Sequence, residues 1–324
     1  MDPFLFCAHH QDHYPVGTKT LGVKPEALVG RKLGMDFESK DGFRMYHGSP
    51  VPGFPAHPHR GFETVTLVQK GYCDHADSLG ASARFGEGDA QWVTTGSGVV
   101  HSEMFPLLNE EEANPLELFQ IWLNLPSKDK MAPAHFSLFW SSDIPKVLET
   151  DSQGREAEIT LVAGELNGVR APSPPPHSWA YNPAHDVAIW FIRLVPGRKW
   201  TLPPACAGTN RALYFYEGDS LQIDGVEFKS QQCLALSASA EVEIAAGSKE
   251  VKILLLQGQP IGEAVQQSGP FVMNTREELR QTIADYQATQ FGGWPWSSPS
   301  PLHPPGQGRF AQYGVNEVKK LPPR

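Results

Sequence analysis

Two histidines separated by one residue, His57 and His59, and a second pair of the same spacing, His101 and Glu103, are the residues best suited to chemistry. In extended backbone, residues i and i+2 project from one face. Each pair therefore offers two donors in a common direction, and two such pairs on neighbouring strands bring four ligands together. Three imidazoles and one carboxylate form a borderline nitrogen and oxygen set, suited to iron, manganese, nickel, cobalt or copper rather than calcium or a thiolate-type zinc site. Four protein ligands around an octahedral ion leave room for oxygen, water or a chelating substrate, and the ion can then act as Lewis acid or redox centre. Phe54, Phe62, Trp92, Val99, Val100 and Phe105 flank the pairs, which predicts an apolar cavity around them.

Other candidates carry less. His75 and Asp77 share the same spacing, but Gly71 and Gly80 around them predict turn hydrogen bonding. His9, His10 and His13 lie near the N-terminus without apolar support and read as a solvated cluster. Cys73 reads as a small buried hydrophobe. Gly96-Ser97-Gly98 lacks the third glycine of a dinucleotide loop and reads as a tight turn. The chain contains no G-x-S-x-G elbow of a serine hydrolase.

The elements that must position these residues are strands. The 30 Gly and 29 Pro among 324 residues break helices and supply turns. Runs rich in β-branched and aromatic residues, Glu63 to Val68, Ala90 to Thr94 and Leu118 to Leu123, alternate with Gly, Asp and Ser turns. A polar, proline-containing stretch from Pro126 to Pro145 interrupts them. A second series follows, with Ile159 to Val162, Val187 to Val195, Ala212 to Tyr216 and Val251 to Leu256. The chain is thus expected to be all-β with domains 1–145 and 146–268. The prolines at 172, 174, 175 and 176 form a loop inside the second. Residues 269–324 hold a capped amphipathic helix, Asn274 to Gln290, with Leu279, Ile283 and Tyr286 on one side. An extended, partly mobile tail with little means of packing follows, ending in the basic Lys319 to Arg324.

Composition narrows the function class. Hydrophobic residues make up 40% and charged residues 19%, as in a folded globular protein. A net charge of −9 supplies no basic field for nucleic acid, so direct nucleic-acid binding is not expected. The four cysteines are far apart, which argues against a disulfide framework or zinc ribbon. No basic segment precedes the apolar run Phe4 to Ala8, and no run approaches the ~18 residues of a membrane span. The expected compartment is the cytoplasm, with the nucleus as an alternative in a eukaryote, and the expected state is a monomer.

The run His57-Pro58-His59-Arg60-Gly61-Phe62-Glu63-Thr64-Val65-Thr66, followed by His75, Asp77, Ser78 and Gly80, then Gly88-Asp89-Ala90-Gln91-Trp92, Gly96, Gly98 and His101-Ser102-Glu103, resembles the pirin family. Gln120-Ile121-Trp122-Leu123-Asn124-Leu125-Pro126 and Gly269-Pro270-Phe271-Val272-Met273-Asn274-Thr275 agree. The resemblance covers most of residues 25 to 292. It implies a bicupin, two cupin-type antiparallel β-barrels packed face to face, with one divalent transition metal in the N-terminal barrel and none in the other. The implied ion is Fe(II), with Mn, Ni, Co, Cu or Zn as alternatives, and the implied ligands are His57, His59, His101 and Glu103. The lack of histidine between His185 and His303 agrees with a metal-free second barrel. Glu63 stands where many cupins place a ligand and is the rival to Glu103; a role orienting the ligands from behind is favoured for it. Gln120 and Trp92 are further candidates to line the cavity, Trp92 equally as ordinary core.

The activity implied is that of a quercetin 2,3-dioxygenase-type enzyme, with a flavonol or catechol-like substrate and O2 as partners and no separate organic cofactor. Glu103 would then be catalytic as well as a ligand, accepting the substrate's proton. The alternative implied is an iron-dependent redox-sensing protein whose partner is a transcription factor or a metabolic enzyme.

Overall fold

The computed structural model describes residues 1–323. Its contacts divide into two compact units. The first comprises residues 6–142 with 263–323, and the second Met1–Leu5 with Asp143–Gly262.

Nine strands of the first unit follow the chain: β1 Phe4–Tyr14, β2 Gly53–His59, β3 Phe62–Lys70, β4 Tyr72–Asp77, β5 Ser82–Gly86, β6 Ala90–Thr94, β7 Val99–Met104, β8 Asn114–Asn124 and β9 His135–Phe139. They form two antiparallel sheets. One has the order β1-β8-β3-β6-β9; the other runs β2-β7-β4-β5 and ends on a C-terminal strand, Phe310–Gln312. The unit is a cupin-like pair of sheets rather than one closed ring of strands. Alternation along each strand sends Val68, Val93 and Leu118 inward from the first sheet and Cys73, Phe85 and Val99 from the second, where they form one buried cluster. Each such side chain contributes roughly 1.5–3 kcal/mol by leaving water.

The second unit repeats the plan. Its larger sheet has six strands, including Glu156–Ala163, Ala188–Leu194, Asn210–Glu217 and Val251–Gly258, and its smaller sheet has four. The interior is apolar, with Trp190, Ile192, Leu213, Phe215, Ile253 and Leu255. The proline stretch from residue 172 to 176 is irregular, since proline cannot donate to a ladder.

Three expectations need correction. The stretch from Pro126 to Pro145 is not only a connector, because it supplies β9, paired with β6. The terminal helix, Arg276–Thr289, carries the expected capping box between Thr275 and Glu278, but Ile283 is 37% exposed while Leu279 and Thr282 are buried. The tail docks between Trp296 and Gln312, while Val318 and Leu321 near its end remain exposed. Trp296 Nε1 donates to the Asp77 carbonyl at 2.8 Å, and the Ala56 amide donates to the Pro299 carbonyl at 2.7 Å. Arg84, fully buried and paired with Asp74 at 2.6 Å, donates to the carbonyls of His303, Pro304 and Gln307. A sequence poor in strand formers docks here because a buried guanidinium satisfies its carbonyls. Of the basic end, Lys320 pairs with Ala311; Arg324 lies outside the described residues. No helix among the described residues is long and apolar enough to cross a membrane.

Candidate metal centre

The β2–β7 ladder sets His57 directly opposite His101, with Val99 opposite His59. The next ladder, β7–β4, sets Glu103 opposite His75 and His101 opposite Asp77. Val99, His101 and Glu103 therefore share the inward face of β7. One nitrogen from each of His57, His59 and His101 lies within 4.8 Å of the others.

Backbone carbonyls orient two of the rings. Nδ1 of His57 donates to the Pro55 carbonyl at 2.8 Å, and Nδ1 of His59 to the Pro270 carbonyl at 3.4 Å. Each ring must then carry its lone pair on Nε2. Pro270 is delivered by local pairing: the Arg60 amide donates to it, and the Arg60 carbonyl accepts from Val272. Gly61 permits that approach, with φ +87° and a Cβ position that would collide with the Val272 carbonyl.

Two of the three rings keep buried nitrogens without a partner. Nε2 of His59 and both ring nitrogens of His101 are buried without a hydrogen-bond partner, at a cost of about 1–3 kcal/mol for each such group. Burial pushes the pKa of His57 down to about 4 and those of His59 and His101 well below the ordinary value, with neighbouring imidazoles adding to the shift. The rings are neutral near pH 7, so their lone pairs are available to a cation.

Glu103 stands beside them, with Oε2 4.0 Å from His101 Nε2. Thr66 Oγ1 donates to its Oε1 at 3.1 Å and Gln120 Nε2 to its Oε2 at 2.7 Å, while Trp122 Nε1 donates to Gln120 Oε1 at 3.2 Å. Burial raises the Glu103 pKa, opposed by His75 and by the Thr66 and Gln120 hydrogen bonds. Orphaned imidazole nitrogens next to a clamped carboxylate fit a divalent transition cation, whose charge would supply what the buried donors lack.

The family profile "Pirin" matches residues 31–123, and "Pirin C-terminal cupin domain" matches residues 189–292. A "Pirin-like protein" of Solanum lycopersicum is 35% identical over 82% of this chain and 87% of its own. The chain belongs to the pirin family. A "Putative quercetin 2,3-dioxygenase PA2418" of Pseudomonas aeruginosa is 35% identical over 74% of the chain and 79% of its own length. Among solved structures, the quercetin 2,3-dioxygenase from Acinetobacter baumannii is 28% identical, with a TM-score of 0.66 over 90% of this chain and 99% of that one.

The pirin fold disposes of the remaining candidates unequally. Glu63 lies three residues before Thr66 on β3, so the two project from opposite faces. Its Oε1 accepts from Thr94 Oγ1 at 2.7 Å, across the sheet from the imidazoles. Trp92 shares the Glu63 face and is fully buried core, whereas Gln120 reaches Glu103. Cys73 is buried, and burial raises its pKa, as for an inert core thiol.

Two readings of histidine are corrected. Asp77 does make the expected turn bonds, with Oδ1 accepting from the amides of Leu79 and Ala81. His75, however, is a strand residue, fully buried, stacked on Phe136 at 4.9 Å and 5.6 Å from His101. Of the expected solvated cluster His13 is exposed, but His9 and His10 are half-buried because β1 packs them: His9 stacks on Phe119 at 4.2 Å, and His10 meets Tyr46 edge-on at 4.9 Å. The sequence signal for β1 was the apolar run Phe4 to Ala8.

Proposed function

We propose that this pirin is a metal-dependent dioxygenase acting on flavonol or catechol-like substrates, with one Fe(II) held by His57, His59, His101 and Glu103. The observation that carries the reading is the convergence of three neutral imidazoles beside Glu103, with buried nitrogens of His59 and His101 left without a hydrogen-bond partner. The ion, when bound, supplies Lewis acidity toward a chelating hydroxyl and carbonyl and a redox centre for O2.

The chain's own residues do the rest. Trp122, 5.5 Å from His59, and Phe54, 6.2 Å from His57, offer aromatic faces to a flat substrate. Glu103, its basicity increased by burial, accepts the hydroxyl proton, and Thr66 and Gln120 hold its oxygens in place. The enzyme names of its relatives support this reading.

The test is oxygen consumption by iron-loaded protein with quercetin and simple catechols, beside His59→Ala. Turnover that follows iron content and disappears in the variant is expected. Absence of metal-dependent turnover with every phenol would overturn the assignment.

A further inference from the structure

β1 reaches the aromatic residues that flank the histidines. Phe6 meets Trp122 at 5.2 Å, and Trp122 meets His59. His10 lies four residues further along β1 and so shares the face of Phe6. Its ring is 6.0 Å from Phe54, which in turn is 6.2 Å from His57. His10 and His57 thus flank one phenylalanine.

The tautomer of His10 is fixed from behind. Asp12, fully buried, is held by Arg44 Nε at 2.9 Å and accepts the Tyr46 hydroxyl proton at 2.6 Å. With its proton committed, the Tyr46 oxygen can only accept from His10 Nδ1, 2.8 Å away. Nε2 of His10 is left as an acceptor, and none of the described residues bonds to it. Burial, with Arg44 and His9 adding, lowers the His10 pKa to about 4, so the ring is neutral. Tyr46 itself sits at φ +57°, a left-handed conformation unusual for a bulky residue. Paired backbone bonds with Asp36 hold it there, as strain is held where geometry matters.

We infer that His10 is a specificity residue of the metal cavity, its Nε2 accepting a hydrogen bond from a hydroxyl on the substrate ring remote from the metal. This rests on reading the cavity as a polyphenol site. Trp122 and Phe54 would hold the flat rings, and His10 would select among them by hydroxylation pattern.

The experiment is ligand binding, read by protein fluorescence quenching with metal-loaded full-length protein, metal content being assayed in the same samples. The probes are quercetin and the flavonol that lacks hydroxyls on the pendant ring. The wild type should prefer quercetin by about three- to tenfold, the value of one net hydrogen bond. His10→Phe should bring the ratio to about one, and His10→Gln should retain part of it. Tyr46→Phe, which frees the tautomer, should lower it. Equal binding of both flavonols by the wild type, or an unchanged ratio in His10→Phe, overturns the role of His10 alone. Failure of the metal-loaded wild type to bind either flavonol overturns the polyphenol reading and this inference with it.

Discussion

His57 and His101 face each other across the β2–β7 ladder as register partners, with ring centroids 4.5 Å apart. Residues so far apart in sequence meet because pairing of the two strands leaves both side chains on the inner face. The ladder is therefore the element that brings the two rings together.

The first prediction concerns metal and stability together. Removing the ion with a chelator should lower the Tm of the wild type, because a ligand at about 100 times its Kd stabilises by roughly 2.7 kcal/mol. His101→Ala should bind little metal and show no chelator effect. Calorimetry with and without chelator, beside elemental analysis, decides it; an equal shift in the variant would count against the site.

A second prediction separates the two glutamates. Glu103→Gln should reduce metal content severely, whereas Glu63→Gln, on the other face of β3 and still able to accept from Thr94, should retain it. Gln120→Leu releases one Glu103 oxygen and should weaken metal affinity by about 10-fold or more. Titration with a competing chelator measures all three, and metal loss confined to Glu63→Gln would reverse the assignment.

The pH dependence has a definite sign. The His57 pKa is lowered from 6.5 to about 4, chiefly by burial, and His59 and His101 are lowered as well. Between those values the unfolded chain binds protons that the folded, metal-free protein does not, so the unfolding free energy falls as pH drops through the window and is level above it. The loss between about pH 7.5 and pH 5 should exceed about 1 kcal/mol, and bound metal, which competes with the protons, should extend the window to lower pH. Urea denaturation at the two pH values tests this; an unmoved midpoint would refute it.

A fourth prediction concerns the tail. Arg84→Ala leaves Asp74 buried and unpaired, which should cost about 3–5 kcal/mol. It also strips the carbonyls of His303, Pro304 and Gln307 of their donor. Limited proteolysis should then cut the segment after the terminal helix in the variant and spare it in the wild type.

Much of this was legible in the sequence. The strand runs around Thr64, Trp92 and Ile121 declare themselves by composition, and the capped helix by Thr275 and Glu278. The spacing of His57 with His59 and of His101 with Glu103 announces two ligand pairs because side-chain direction has period two. What escaped depends on pairing partners. His75 looked like a turn residue because its glycine neighbours are local, while the strand that buries it is β7. His10 looked solvated because the aromatic residues that cover it, Tyr46 and Phe54, come from elsewhere in the chain. The tail looked loose because carbonyls bound by a distant arginine leave no local pattern.

The C-terminal strand has a consequence for how the protein is made. Phe310–Gln312 forms the last edge beside β5, and the Pro299 carbonyl is bonded to the strand that carries His57. The N-terminal half leaves the ribosome long before these partners exist, so during synthesis β5 presents bare amides and carbonyls to any neighbouring chain. Nascent chains that end before residue 310 therefore carry an uncovered sheet edge that the finished chain closes.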